Sequence, residues 1–242
     1  MFYAILFFLL GVAFTAAGSS LWDESALSKL AASGFFFAAL AEFVTGGLYA
    51  AASLFRVNPG PIFKDRWGRL RHWSRPFIWP YLIFEYVAWR QHRKRGHELI
   101  FEQVSEGLWL GSRPVEEDLP ALRAAGINAV LDLTAEMQDP PELRRSSRYL
   151  CVPTLDGCAP GLADFAAGTE FVKACRAEGR SVLIHCTFGH GRSAALMAAS
   201  MVALGLARSA DEALGQLKKL KRRIFLSREQ RGMLERFIKS VV

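Results

Sequence analysis

Twelve consecutive residues carry most of the chemistry this sequence can do: Val182-Leu183-Ile184-His185-Cys186-Thr187-Phe188-Gly189-His190-Gly191-Arg192-Ser193. An apolar strand is expected to end at His185, a loop with two glycines to follow, and a helix to begin near Arg192. Such a loop turns successive backbone N–H groups inward, and the helix N-terminus adds its positive dipole, so together they form an anion cradle. Gly189 and Gly191 are expected to supply backbone conformations that other residues resist. Cys186 sits where the N–H groups converge, which favours the thiolate and lowers its pKa. Arg192 offers a planar fork able to hold two phosphoryl oxygens. Ser193 can hydrogen-bond the sulfur, and His185 can order the loop or add positive character. A buried inert thiol would require neither Arg192 nor a glycine-rich turn.

The pattern His185-Cys186-x5-Arg192-Ser193 after a strand resembles the signature of the protein tyrosine phosphatase superfamily, and the short domain is similar to its dual-specificity branch. Gly107-Leu108-Trp109-Leu110-Gly111-Ser112 resembles that branch's opening strand motif. The resemblance covers roughly residue 98 onward and nothing before it. It implies a two-step hydrolysis of phosphomonoesters through a phosphocysteine, with no metal or other cofactor, and a phosphate-binding loop made of Thr187, Phe188, Gly189, His190, Gly191 and Arg192.

Expelling an alkoxide calls for a positioned acid, worth roughly a hundredfold or more in rate. Asp156 lies in Val152-Pro153-Thr154-Leu155-Asp156-Gly157, after a strand and upstream of Cys186. By sequence alone a turn aspartate before Gly157 is the simpler reading; the resemblance, which places the family's acid on such a loop, reverses that preference. Asp164 is the second choice and is expected in the first turn of the next helix. Asp132 ends a strand and reads as structural. Cys151, Cys158 and Cys175 show no metal-ligand spacing; Cys151 and Cys175 read as core, while Cys158 could also resolve an oxidised Cys186. His190 is left open between touching substrate and filling space. The run Lys218, Lys219, Lys221, Arg222 and Arg223 reads as a solvated helix end that could also meet lipid phosphate.

The elements that must position these groups are legible after about residue 98. Short strands are expected at 101–104 and 108–110, around a Glu106-Gly107 turn. Further strands are expected at 128–133, 149–153 and 181–185, and helices at 116–125, 162–178, 192–204, 209–220 and 227–241. Gly126, Gly179 and Gly205 act as stops. Alternating strands and helices predict an α/β domain with a central, mostly parallel sheet flanked by helices. Residues 98–242 are therefore expected to form a self-contained catalytic domain.

The region before it has another character. The chain is 51% hydrophobic with a formal charge of +7. Met1 to Trp22 contains no charged residue and just reaches the roughly 20 residues a helical span needs. A cleaved signal peptide is the alternative, but no Lys or Arg precedes the apolar stretch. A second apolar stretch, 30–55, is rich in Ala and Gly and broken only by Glu42, an expensive residue there that is read as functional or helix-pairing. A transmembrane hairpin over residues 1–55 is expected, joined by a connector carrying Asp23, Glu24 and Lys29. Residues 56–97 carry ten Lys and Arg against Asp65 and Glu85, interleaved with Trp67, Trp73, Phe77, Trp79, Tyr81, Phe84, Tyr86 and Trp89. The positive-inside rule places this segment and the catalytic domain in the cytoplasm. The run 76–89 is too short to span and reads as interfacial, rings at headgroup level and cations on anionic lipid. The expected partners are the bilayer and a phosphorylated lipid or phosphoprotein substrate. Nucleic acid is not expected beside two membrane spans.

Overall fold

The computed structural model describes residues 1–23 and 25–241, so Glu24 of the expected connector lies outside the described residues. The chain divides into two units, one of residues 1–57 with 71–88 and the other of residues 58–70 with 89–242.

The first unit is helical. Helices α1 (Phe2–Leu21) and α2 (Ala26–Phe55) are both long and apolar enough to cross a bilayer. Ser25 caps α2, its hydroxyl accepting from the Ser28 N–H at 3.1 Å. The two helices pack through small residues. A Cβ at Gly11 would fall 2.7 Å from the Phe43 ring, and one at Gly46 would fall 3.2 Å from the Ala4 carbonyl oxygen. Tyr3 stacks on Tyr49 with ring centroids 5.1 Å apart, and Glu42 is buried. Ile5, Leu9, Val12, Leu30 and Leu54 of these helices are exposed large apolar side chains. The run read as interfacial is helical, forming α3 (Arg75–Arg95). Its ladder breaks at Ile78 (φ −134°), just before Pro80, which cannot donate an N–H. Trp73, Phe77, Ile83, Phe84 and Tyr86 are exposed.

The second unit is the expected α/β domain. Its sheet contains β1 (Phe101–Ser105), β2 (Leu108–Ser112), β3 (Ile127–Thr134), β4 (Arg148–Thr154) and β5 (Ser181–Cys186) in the order β1-β2-β5-β3-β4. Only the β1/β2 hairpin is antiparallel. Alternation along the strands divides the core. Leu108, Leu110, Leu131, Leu133, Val182 and Ile184 pack with the larger cluster, which includes α6 (Leu162–Ala177), α7 (Arg192–Ala203), α8 (Ala210–Leu217) and α9 (Arg228–Val241). Val130 and Leu183 face the other way, toward Leu119, Leu122 and Leu143 of α4 (Leu119–Ala124) and α5 (Pro141–Ser146). Helix α7 is buried from Arg192 to Val202, and its Ala and Ser residues let it lie close to the sheet from which the catalytic loop emerges.

Two features depart from the expected organisation. Residues 58–70 and 89–97 group with the second unit, ahead of the start expected at 98. The short α5 carried no sequence signal.

Candidate active site

Strand β5 runs between β2 and β3, with Cys186 opposite Ser112 and His185 opposite Asp132. The centre of a parallel sheet is the most rigid place from which to launch a loop. Cys186 ends this strand, and α7 begins six residues later at Arg192. Between them the chain folds back over the sulfur. The Gly189 N–H donates to Cys186 Sγ at 3.3 Å, and Ser193 Oγ lies 3.2 Å from it. Gly189 has φ +80°, and a Cβ there would fall 2.6 Å from the Gly111 carbonyl oxygen, so glycine is required on both counts. Gly191 is different. Its φ is −115°, and what it provides is space, since a Cβ would meet Gln230 at 2.8 Å and the Phe225 carbonyl oxygen at 3.0 Å.

Burial pushes the Cys186 thiol pKa up, but the Arg192 guanidinium and hydrogen bonds from Ser193 outweigh burial and leave it below that of an ordinary thiol. The other three cysteines are distinct. Burial drives the Cys158 thiol up to about 12, and burial also raises Cys151 and Cys175. None of them is prepared to act as a nucleophile at neutral pH, and the resolving role considered for Cys158 gains no support.

Arg192 is buried and held on several sides. Nη1 donates to Glu136 Oε2 at 3.0 Å and to the Thr154 carbonyl at 2.6 Å. Nη2 donates to Glu136 Oε1 at 2.8 Å and to Thr187 Oγ1 at 3.0 Å, and also lies 3.0 Å from Asp156 Oδ1. Among the described residues its buried Nε–H has no hydrogen-bond partner, an orphaned donor that a phosphoryl oxygen would satisfy. Glu136 is the residue that sequence reasoning missed. Fully buried, it matches the guanidinium fork with both oxygens and accepts from the Thr187 hydroxyl. Burial would raise its carboxyl pKa, but the opposing Arg192 charge wins and holds it below the usual range. Glu136 lies far upstream in a loop after β3, with no local pattern around it to mark it.

Asp156 follows β4 in a tight turn in which the Cys158 N–H bonds to the Leu155 carbonyl at 3.1 Å and Gly157 takes φ +75°. The turn places its carboxyl on the Arg192 side of the loop, partly exposed. Asp164 is elsewhere, in the first turn of α6, where it accepts from the Gly161 N–H at 2.9 Å. Asp132, read as the end of a strand, lies inside β3, which continues to Thr134, and is buried.

His185 points away from the cradle, its Nε2 2.9 Å from Asp139 Oδ2. Burial would lower the imidazole pKa, but the Asp139 and Asp132 carboxylates raise it above normal. His190 Nε2 lies 2.7 Å from Glu98 Oε2, and its ring stacks on Phe188 with centroids 6.0 Å apart, so both side chains line the outer rim. Within the run read as a solvated helix end, Arg222 is the exception. It is buried, donating to the Phe188 carbonyl at 3.0 Å and to the Leu99 and Ile100 carbonyls, which fixes the back of the loop.

Comparison with known proteins gives a consistent account. The family model described as "Dual specificity phosphatase, catalytic domain" matches residues 108–239. The chain is 24% identical over 170 residues to phosphatidylglycerophosphate phosphatase PTPMT2 of Arabidopsis thaliana, covering 68% of this chain and 72% of that one. It is 36% identical over 99 residues to dual specificity protein phosphatase 12 of Mus musculus, covering 40% of this chain but only 29% of the relative. The solved structure of PTPMT1 in complex with PI(5)P superposes with a TM-score of 0.55 at 22% identity, covering 59% of this chain and 97% of that one, a likeness of fold. The matched family span includes the strand, loop and helix that hold Cys186 and Arg192, and the chain belongs to the dual specificity phosphatase family of phosphoric monoester hydrolases.

Proposed function

We propose that the protein hydrolyses a phosphomonoester carried on a membrane lipid, with Cys186 as nucleophile, Arg192 as phosphate clamp and Asp156 as acid and base. The Cys186 thiolate attacks phosphorus, forming an S–P bond as the P–O bond to the alcohol breaks. The Asp156 carboxyl gives its proton to the departing oxygen. Arg192 and the N–H groups of residues 187–192 bear the charge on the phosphoryl oxygens. In the second step the Asp156 carboxylate takes a proton from water, the water oxygen bonds to phosphorus, and the P–S bond breaks. The Ser193 hydroxyl, 3.2 Å from the sulfur, stabilises the returning thiolate. The observation that carries this reading is the buried, multiply held Arg192 beside a thiol with lowered pKa.

The lipid assignment draws on two things: the helices α1 and α2, which suit a membrane anchor, and relatives named as phosphatidylglycerophosphate phosphatases. The cationic segment 56–97 supports a cytoplasmic face for the catalytic unit. The second reading, a tethered phosphoprotein phosphatase, is favoured by the higher identity to dual specificity protein phosphatase 12. Phosphate release by the full-length protein from liposomal phospholipid phosphates and from phosphopeptides separates them, with Cys186→Ser as the zero. Turnover of the lipid substrates is expected. Turnover of phosphopeptides alone would replace the lipid reading.

A further inference from the structure

The segment 58–70 precedes the matched family span, yet it lies along the catalytic unit's open sheet edge. Strand β4 is that edge. The Cys151 N–H donates outward to the Arg66 carbonyl at 2.9 Å, and Asn58 Nδ2 donates to the Pro153 carbonyl at 3.0 Å and to Asp164 Oδ2 at 3.0 Å. The approach is close. A Cβ at Gly60 would fall 1.9 Å from the Pro153 carbonyl oxygen, and Gly68 lies against the Tyr149 ring.

From this strap Lys64 enters the interior. Its ammonium is fully buried, 2.5 Å from Asp132 Oδ2, 2.7 Å from Thr134 Oγ1, 3.0 Å from the Thr134 carbonyl and 2.5 Å from the Met137 carbonyl. The ligand atoms of Asp132, Asp139 and His185 cluster within 4.8 Å, a spacing that could hold a metal ion. Lys64 already supplies a cation to that cluster. The Tyr149 hydroxyl lies between Asp132 Oδ2 (2.6 Å) and Asp139 Oδ2 (2.9 Å), Cys151 Sγ lies 3.5 Å from Asp132, and Arg113 lies 4.0 Å from Asp139. Asp139 then holds His185, the residue before Cys186. Two carboxylates at the base of the loop would be costly to bury without a cation.

We infer that Lys64 is a positioning residue for the phosphate-binding loop, acting through Asp132, Asp139 and His185, and that the strap at residues 58–70 is part of the catalytic apparatus. The same strap braces the end of β4, where the Thr154 carbonyl accepts from Arg192. Both sides of the cradle thus depend on a segment between the second apolar helix and α3.

This inference rests on the Cys186 mechanism, and the test keeps the two apart. Full-length protein carrying Lys64→Met, Asp132→Asn or both would be assayed on a soluble aryl phosphate. The His185 ring would be titrated by NMR, its signal assigned by its loss in His185→Asn. With the imidazole facing Asp139 and Asp132, loss of the Lys64 charge moves its titration to higher pH, and Asp132→Asn moves it to lower pH. A generalised packing defect would not produce opposite shifts. Lys64→Met is expected to lower kcat about tenfold or more with little change in KM, as misplacement of a reacting group does. The double variant should regain much of that loss, because both charges leave together. If Lys64→Met does not fold, Asp132→Asn still decides the matter through the direction of the His185 shift. Normal kcat in Lys64→Met, or no shift in Asp132→Asn, overturns the inference. Wild-type turnover that survives Cys186→Ser would instead overturn the mechanism beneath it.

Discussion

For Cys186 to attack phosphorus it must be ionised, and its neighbours set how readily that happens. Burial opposes the charge, while Arg192 and Ser193 favour it and prevail. Alkylation of Cys186 by iodoacetate should therefore titrate below the range of an ordinary thiol. Ser193→Ala should move that midpoint upward and slow turnover, and a midpoint unchanged by it would remove Ser193 from thiolate stabilisation. Asp156→Asn tests the acid. It should slow alkyl phosphates strongly and aryl phosphates with good leaving groups much less, because the latter need little protonation. Equal losses on both would take Asp156 out of that role, and Asp164→Asn, whose carboxyl accepts from the Gly161 N–H and from Asn58, should change the rates on alkyl and aryl substrates alike. Glu136 carries a prediction of another kind. Both it and Arg192 are fully buried, so Glu136→Ala should cost about 3–5 kcal/mol of stability in chemical denaturation, the usual result of orphaning a buried charge. Cys186, Arg192 and Ser193 were legible because a single loop fixes their spacing. Glu136 was not, since its partnership with Arg192 is made by the sheet and not by neighbours in sequence.

Among the elements, legibility followed length and termination. Helices α6 and α7 end where Gly179 and Gly205 take φ +71° and +73°, the left-handed conformation that closes a helix. Their ends could therefore be read from sequence to within a residue or so. Helix α5, six residues opening on Pro141, is too short to display a 3.6-residue period. The run 76–89 showed an apolar, aromatic composition flanked by cations before any helical pattern, and Pro80 further masked α3. The two loop glycines, alike in sequence, turn out unlike in structure. Gly189→Ala sets a left-handed φ and a 2.6 Å clash with Gly111 backbone against the loop, so it should abolish turnover. Gly191→Ala adds only a contact with the Gln230 side chain and the Phe225 carbonyl, and should retain measurable activity. Equal phosphatase activity in the two variants would mean that the left-handed turn at Gly189 is dispensable.

Over the whole chain, some cations of the basic segment are engaged inside the protein, which composition alone does not distinguish. Lys64 serves the catalytic interior, and Arg93 is committed to Asp118 through two bonds of 2.9 and 3.1 Å. A chain begun at residue 98 would leave Asp132 without its ammonium partner and β4 without its strap, so it should fold poorly and show little aryl phosphatase activity, contrary to the self-contained domain expected from sequence. Outside the strap, the exposed cations include Arg56, Arg71, Arg75, Lys94 and Arg95, which suit anionic lipid. Near an anionic leaflet each is worth about 1 kcal/mol, decaying within a Debye length. That is enough, summed over five, to favour a catalytic unit held against headgroups, which a lipid phosphatase requires because its substrate stays in the bilayer. Full-length protein with these five residues changed to Gln should keep its rate on a soluble aryl phosphate. On anionic liposomes carrying a lipid phosphate it should lose most of its rate, and raising the salt should slow the wild type while changing the variant little. An unchanged liposome rate in the variant would show that α1 and α2 alone present the substrate, leaving the cations to set topology only.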